Sequence, residues 1–110
     1  MKASEICQKL DLNCVTGSSG GNNDVMGAYC GDLLSWVIAH AQSHSAWITI
    51  QGHINTVAVA ILTGISCVIL VEGAVADEDT IKKAIEEEVA IYTTKKSAYQ
   101  IAKELMELGL

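Results

Sequence analysis

The chain has 110 residues, half of them apolar and 18% charged, with a formal net charge of −6 at neutral pH. That length is one domain's worth, and the apolar half suffices for a packed core and excludes a disordered chain. The seven basic residues are all lysines, set against thirteen acids, so a nucleic-acid partner is excluded: phosphate neutralisation needs a basic stripe and arginine forks that are missing here.

In chain order, Ala3, Ile6, Cys7 and Leu10 fall at helical spacing and predict a short opening helix. Leu12 to Thr16 reads as a strand, stopped by Gly17-Ser18-Ser19-Gly20-Gly21-Asn22-Asn23, which reads as a mobile surface loop. That loop lacks the Gly-Lys-Ser/Thr ending of a phosphate loop and is not Gly-x-Gly-x-x-Gly. Asp24 to Tyr29 is a short strand interrupted by Gly27. Gly31-Asp32 then opens a helix through Leu33, Leu34, Trp36, Val37, Ile38 and His40, with Asp32 as its cap. Ala46 to Gln51 predicts a strand, Asn55 to Leu62 a helix, and Cys67 to Val71 an unbroken apolar strand. A helix from about Asp77 to Glu88 follows, with Asp77, Glu78 and Asp79 in its first turn, where the helix dipole favours acids. Val89 to Thr93 is the last strand, and a final helix from Ser97 aligns Ala98, Ile101, Ala102, Leu105 and Leu108 on one face.

Strands without polar alternation, separated by helices, are the mark of a parallel sheet covered on both faces. The expected fold class is α/β, a three-layer α/β/α single domain over residues 1–110 with a mostly parallel sheet of four or five strands.

Leu33 to Val71 is thirty-nine residues without a charge, and Ile54 to Val71 within it has the length of a membrane span. Asn55, Thr56, Thr63, Ser66 and Gly64 interrupt it and no lysine flanks it, so it reads as a buried helix followed by a buried strand, with no membrane contact. The start of the chain has no apolar signal segment. Cys7, Cys14, Cys30 and Cys67 lack Cys-x-x-Cys spacing and read as reduced, mostly buried thiols. Together these predict a cytoplasmic protein.

In open α/β sheets ligands lie outside the carboxyl ends of the strands. There the sequence places Tyr29, Gly31 and Asp32, then Gln51, His53 and Asn55, and then Thr93 and Thr94. Backbone amides near Asp32 and Asn55 are expected to hold a small phosphorylated metabolite or nucleotide. His53 and Gln51 would fix its orientation, and Thr93 and Thr94 would close the pocket. His40 and His44 are four apart, as in a helical metal pair, but no third ligand is spaced nearby, so neither metal nor cofactor is expected. With no Gly-x-Ser-x-Gly elbow and no His-Glu-x-x-His, no catalytic residue is assigned and the chain reads as a non-enzyme.

Asp24-Val25-Met26-Gly27-Ala28-Tyr29-Cys30-Gly31-Asp32-Leu33-Leu34-Ser35 resembles the DRTGG domain family. Trp47 to Ala60, Ile69-Leu70-Val71-Glu72-Gly73, Tyr92-Thr93-Thr94 and Ser97-Ala98-Tyr99 extend the resemblance over nearly the whole chain. The arginine of the family signature has no counterpart, and Ala28 stands where its second glycine would be. The family is found as the amino-terminal domain of the kinase/phosphorylase that acts on the phosphocarrier HPr, in phosphotransacetylases, and between CBS domains of regulated pyrophosphatases. Small stand-alone copies occur beside iron-hydrogenase genes of anaerobes. The resemblance implies an α/β/α fold and a regulatory, homodimeric, stand-alone module without kinase activity. The competing expectation is an assembly subunit that binds a partner protein without a ligand, tied to anaerobic redox metabolism; the apolar excess, Trp36 and Trp47 included, would serve such an interface.

Overall fold

Segments that are apolar at every position need cover on both faces, and helices supply it. A computed structural model describes all residues 1–110. The elements run α1 (Ala3–Lys9), β1 (Asn13–Cys14), β2 (Gly27–Cys30), α2 (Leu34–His40), β3 (Ser45–Thr49), α3 (Asn55–Thr63), β4 (Cys67–Leu70), α4 (Glu78–Glu86), β5 (Ala90–Thr93) and α5 (Ala98–Glu107). The five strands lie in the order β1-β5-β4-β3-β2. Strands β2 to β5 are parallel neighbours, and β1 pairs antiparallel with β5.

The register aligns Tyr29, Trp47, Val68 and Ile91 across the sheet. This row packs with Val37 of α2, Val57 and Ala60 of α3, and Ala84 of α4. The adjacent rows, which include Ile48, Ile69 and Tyr92, face the other way onto Ile6 of α1 and Ile101 and Leu105 of α5. Helices α2, α3 and α4 therefore form one layer and α1 and α5 the other, as expected of the α/β/α class. All five residues of β3 and all four of β4 are buried, and each large side chain so buried contributes roughly 1.5–3 kcal/mol.

Several expectations are corrected locally. Helix α2 begins at Leu34 after an extended Leu33, with no side chain capping it, so Asp32 is not its cap; its carboxylate is held by β3, as described below. The first strand contracts to Asn13–Cys14, because it is an edge with β5 as its one neighbour. Gly27 opens β2 instead of interrupting it, and Asp24 is outside the strand, in an isolated bridge with Lys2. The Gly17–Asn23 segment is pinned down: Ser4 N donates to Gly21 O, Ala3 N to Asn23 O, and the Asn23 amide reaches Ser66 O and Glu88 O, both at 3.0 Å. Cys67 is buried and Cys7 half-buried, but Cys14 and Cys30 are exposed, because both sit on edge strands. Ser97 caps α5 as expected, its hydroxyl accepting from Gln100 N at 3.1 Å. No helix is long and apolar enough to cross a membrane.

Candidate functional site

Where β2 ends, the chain folds over the end of β3. Gly31 N donates to Ile48 O at 3.1 Å, and Gly31 O accepts the indole N–H of Trp47 at 2.8 Å. Asp32 Oδ1 accepts from the buried Thr49 hydroxyl at 2.8 Å and from Ile50 N at 3.0 Å. Gln51 Nε2 donates back to Asp32 O at 3.1 Å. One carboxylate oxygen thus ties the ends of two parallel strands together, through charge-assisted bonds stronger than their neutral equivalents.

Tyr29, Cys30, Gly31, Asp32, Leu33 and Trp36 line an open groove of ≈ 510 Å³ beside this junction. Trp36 is 59% exposed and its ring sits 4.6 Å from that of His40, centroid to centroid. Burial, and secondarily the Asp32 charge, push the Cys30 thiol pKa above its ordinary value. The groove combines two aromatic faces with one carboxylate, which suits a flat ring carrying hydroxyl groups. Sequence reasoning named Tyr29, Gly31 and Asp32 but missed Leu33 and Trp36 as lining residues. An aromatic one helical turn after a strand-end glycine was the available signal.

The other candidates form two further groups. In the turn into α3, His53 Nδ1 accepts from Asn55 N at 3.2 Å, and both side chains are exposed. Gly52 precedes them because a Cβ there would overlap the Val75 carbonyl. Its own carbonyl accepts from Asp77 N at 3.1 Å and Thr80 Oγ1 at 2.9 Å, which fastens the 72–77 segment against this turn. Thr93 and Thr94 end β5. Thr93 Oγ1 accepts from Asn13 at 3.2 Å, while Thr94 N donates to Leu70 O and Thr94 O accepts from Gly73 N. β5 lies three strands from β2, roughly 14 Å away, so a compact ligand in the Tyr29 groove does not reach the threonines. Strands β2 to β5 also follow one another in sequence order, without the reversal that opens a crevice in doubly wound sheets.

A cavity of ≈ 530 Å³ lies at the opposite ends of the strands, among Asn22, Asn23, Asp24, His44, Ser66, Glu87 and Glu88. Several of its polar groups are already engaged: Asp24 with Lys2 at 2.9 Å, Glu87 with Lys83 at 3.2 Å, and Ser66 with Asp24 O. No buried side-chain nitrogen or oxygen anywhere in the chain lacks a partner, and no group of three or more His, Cys, Asp and Glu side chains is placed to hold a metal.

No family model matches the chain, and no curated protein matches it. A solved structure does: the CBS and DRTGG domains of the regulatory region of a Clostridium perfringens pyrophosphatase, complexed with the activator diadenosine tetraphosphate. The TM-score is 0.69 at 14% sequence identity, over 94% of this chain and 45% of that one. The likeness is one of fold. This chain spans less than half of that regulatory region, which contains a domain of the type the sequence resembles.

Proposed function

We propose that the chain is a DRTGG-like regulatory domain, similar to the amino-terminal domain of HPr kinase/phosphorylase. In this reading it is non-catalytic and homodimeric, and it binds a nucleotide or other small anionic metabolite at the carboxyl ends of its strands. The observation that carries the reading is the fold shared with a regulatory region solved with a nucleotide activator. The site chemistry supports it. A base would lie against Tyr29 and Trp36, and Asp32 would accept from ribose hydroxyls. A phosphate would extend toward His53, Asn55 and the amino end of α3. Gln51, tied to Asp32, would set the angle between the two halves, and Thr93 and Thr94 would be reached only by an extended ligand.

The double variant His53→Ala/Asn55→Ala alters exposed side chains, so the fold should survive. In isothermal titration with adenine and guanine nucleotides, affinity is expected to fall by tenfold or more while the circular dichroism is unchanged. Unchanged affinity would place the phosphate elsewhere. The competing role, a ligand-free assembly subunit, draws on exposed apolar side chains such as Leu62 and Val75 on the helical layers and loops. A stoichiometric complex from native lysate, indifferent to the His53 change, would favour it.

A further inference from the structure

Away from the strand-end site, two of the four cysteines share one cavity. Cys7 of α1 and Cys14 of β1 line a space of ≈ 360 Å³ together with Ser4, Ser18, Asn22 and Tyr92. The register brings them there. Cys14 stands opposite Tyr92 in the β1–β5 pair, and directly opposed residues share a face of the sheet. Tyr92 belongs to the core that Ile6 and the half-buried Cys7 cover from α1, so Cys14 faces the α1 layer. The chain also doubles back onto the helix before it reaches β1: Leu12 N donates to Cys7 O at 2.9 Å, two residues short of Cys14. The Cys14 charge accordingly adds to burial in raising the Cys7 thiol pKa.

We propose that Cys7 and Cys14 form a dithiol modification site, which a low-molecular-weight disulfide converts to an intramolecular bridge between α1 and the β1 edge. Cys14 is exposed and reacts first. Its thiolate attacks one sulfur of the reagent, the S–S bond of the reagent breaks, and one thiolate leaves to take up the proton that Cys14 has shed. The Cys7 thiol then loses its proton and its sulfur attacks Cys14 Sγ, expelling the second thiol. The protein gives up two hydrogens, and the reagent gains them as two thiols. This pair lies at the opposite edge of the sheet from the Tyr29 groove, so its chemistry does not depend on the ligand reading above.

Three features favour this pair. The thiols are held by weak donations, Cys7 Sγ to Leu12 O at 3.3 Å and Cys14 Sγ to Gly17 O at 3.1 Å, which cost little to give up. A disulfide closes when the Cα atoms are within about 7 Å, and β1, a two-residue edge with both residues exposed, is the part of the sheet freest to make that approach. The cavity has the size of a small-molecule site, and its two serines and asparagine suit a reagent of peptide character. The other thiols are placed differently: Cys67 is buried, and neither groove that Cys30 lines holds a second cysteine.

The test is incubation of the reduced, folded protein with millimolar glutathione disulfide, followed by an acid quench and peptide mapping by mass spectrometry. The expected product is a Cys7–Cys14 link lighter by two hydrogens, with a lasting glutathione adduct on Cys30 and none on Cys14. Cys7→Ser keeps a donor toward Leu12 O; it should abolish the link and raise the Cys14 adduct tenfold or more over the parent. Cys14→Ser should abolish the link and leave the Cys30 adduct as it was. Circular dichroism confirms that both variants fold, and should one fail to fold, the parent alone decides. A lasting adduct on Cys14 of the parent overturns the proposal, as does an unmodified Cys14 or a link made through Cys30 or Cys67. None of these results bears on nucleotide affinity, which the ligand titration reads separately.

Discussion

Asp32 shows what a single carboxylate does at a strand end. Its Oδ1 accepts from Thr49 and Ile50, seventeen and eighteen positions away. Removing it leaves the buried Thr49 hydroxyl without an acceptor for its proton, and charged hydrogen bonds to buried groups are worth about 1.5–3 kcal/mol. Asp32 itself is exposed, so Asp32→Ala is expected to cost about 1–2 kcal/mol, and Asp32→Asn, which keeps an acceptor oxygen, less than half of that. Urea midpoints with unchanged slopes check both. Equal losses in the two variants would mean that the side chain contributes bulk and not bonding. The sequence marked Asp32 as a polar residue at a strand end. Its role was read from neighbours in sequence, which pointed to helix capping, whereas its partners come from a strand that only the fold brings alongside.

The cysteines carry a second residue-level expectation. Burial pushes the Cys67 thiol pKa up to about 12, and burial also raises that of Cys7. In the native protein a soluble alkylating reagent should modify Cys14 and Cys30 first, Cys7 more slowly, and Cys67 only after unfolding. Peptide mapping by mass spectrometry reads that order, and rapid native labelling of Cys67 would contradict the packing of β4.

Among the elements, α5 is fastened at its base by Lys96. Its Nζ donates to Leu10 O and to Glu104 Oε1, both at 3.0 Å, joining the two helices of one layer. The Lys96 bond holds the Glu104 carboxyl below the ordinary range, with a smaller contribution from Gln100. A lowered carboxyl pKa stabilises the fold fully above its unfolded value, and that contribution is lost as the pH falls through the folded value. Lys96→Met is therefore expected to destabilise the protein at pH 7 and to lose part of that deficit by pH 3. Denaturant melts of both proteins at the two pH values measure it; a constant difference would assign the effect to the Leu10 contact alone.

Elements were legible where burial is strongest. Ile48, Ile69 and their neighbours announce β3 and β4 because both faces of those strands are covered, so their sequences carry no polar alternation. The edge strands β1 and β2 were blurred because a short edge leaves its side chains in solvent, both of them in β1 and half of them in β2. The Gly17–Asn23 segment looked loose because glycines and serines signal flexibility, while the Asn23 bonds that pin it reach residues more than forty positions away.

For the molecule as a whole, the α/β/α class follows from pattern and length. The assembly of the site does not. Reading the strand ends in order puts Asp32, His53 and Thr93 on one rim of the sheet, but not how far apart. The unreversed strand order spreads them along that rim, and the 72–77 segment is fastened at Gly52. The Tyr29–Trp36 groove and the His53–Asn55 turn are what remain for a ligand of ordinary size.

The most direct measurement is a thermal melt of the purified protein against adenine and guanine nucleotides, dinucleoside polyphosphates and acetyl phosphate. A ligand at a hundred times its dissociation constant adds ~2.7 kcal/mol, which for a domain of this size raises the melting temperature by roughly ten degrees or more. A saturable rise of that order is expected with at least one nucleotide, reduced by Trp36→Ala. A flat response to every compound at millimolar concentration would contradict the proposal that the domain is a nucleotide sensor.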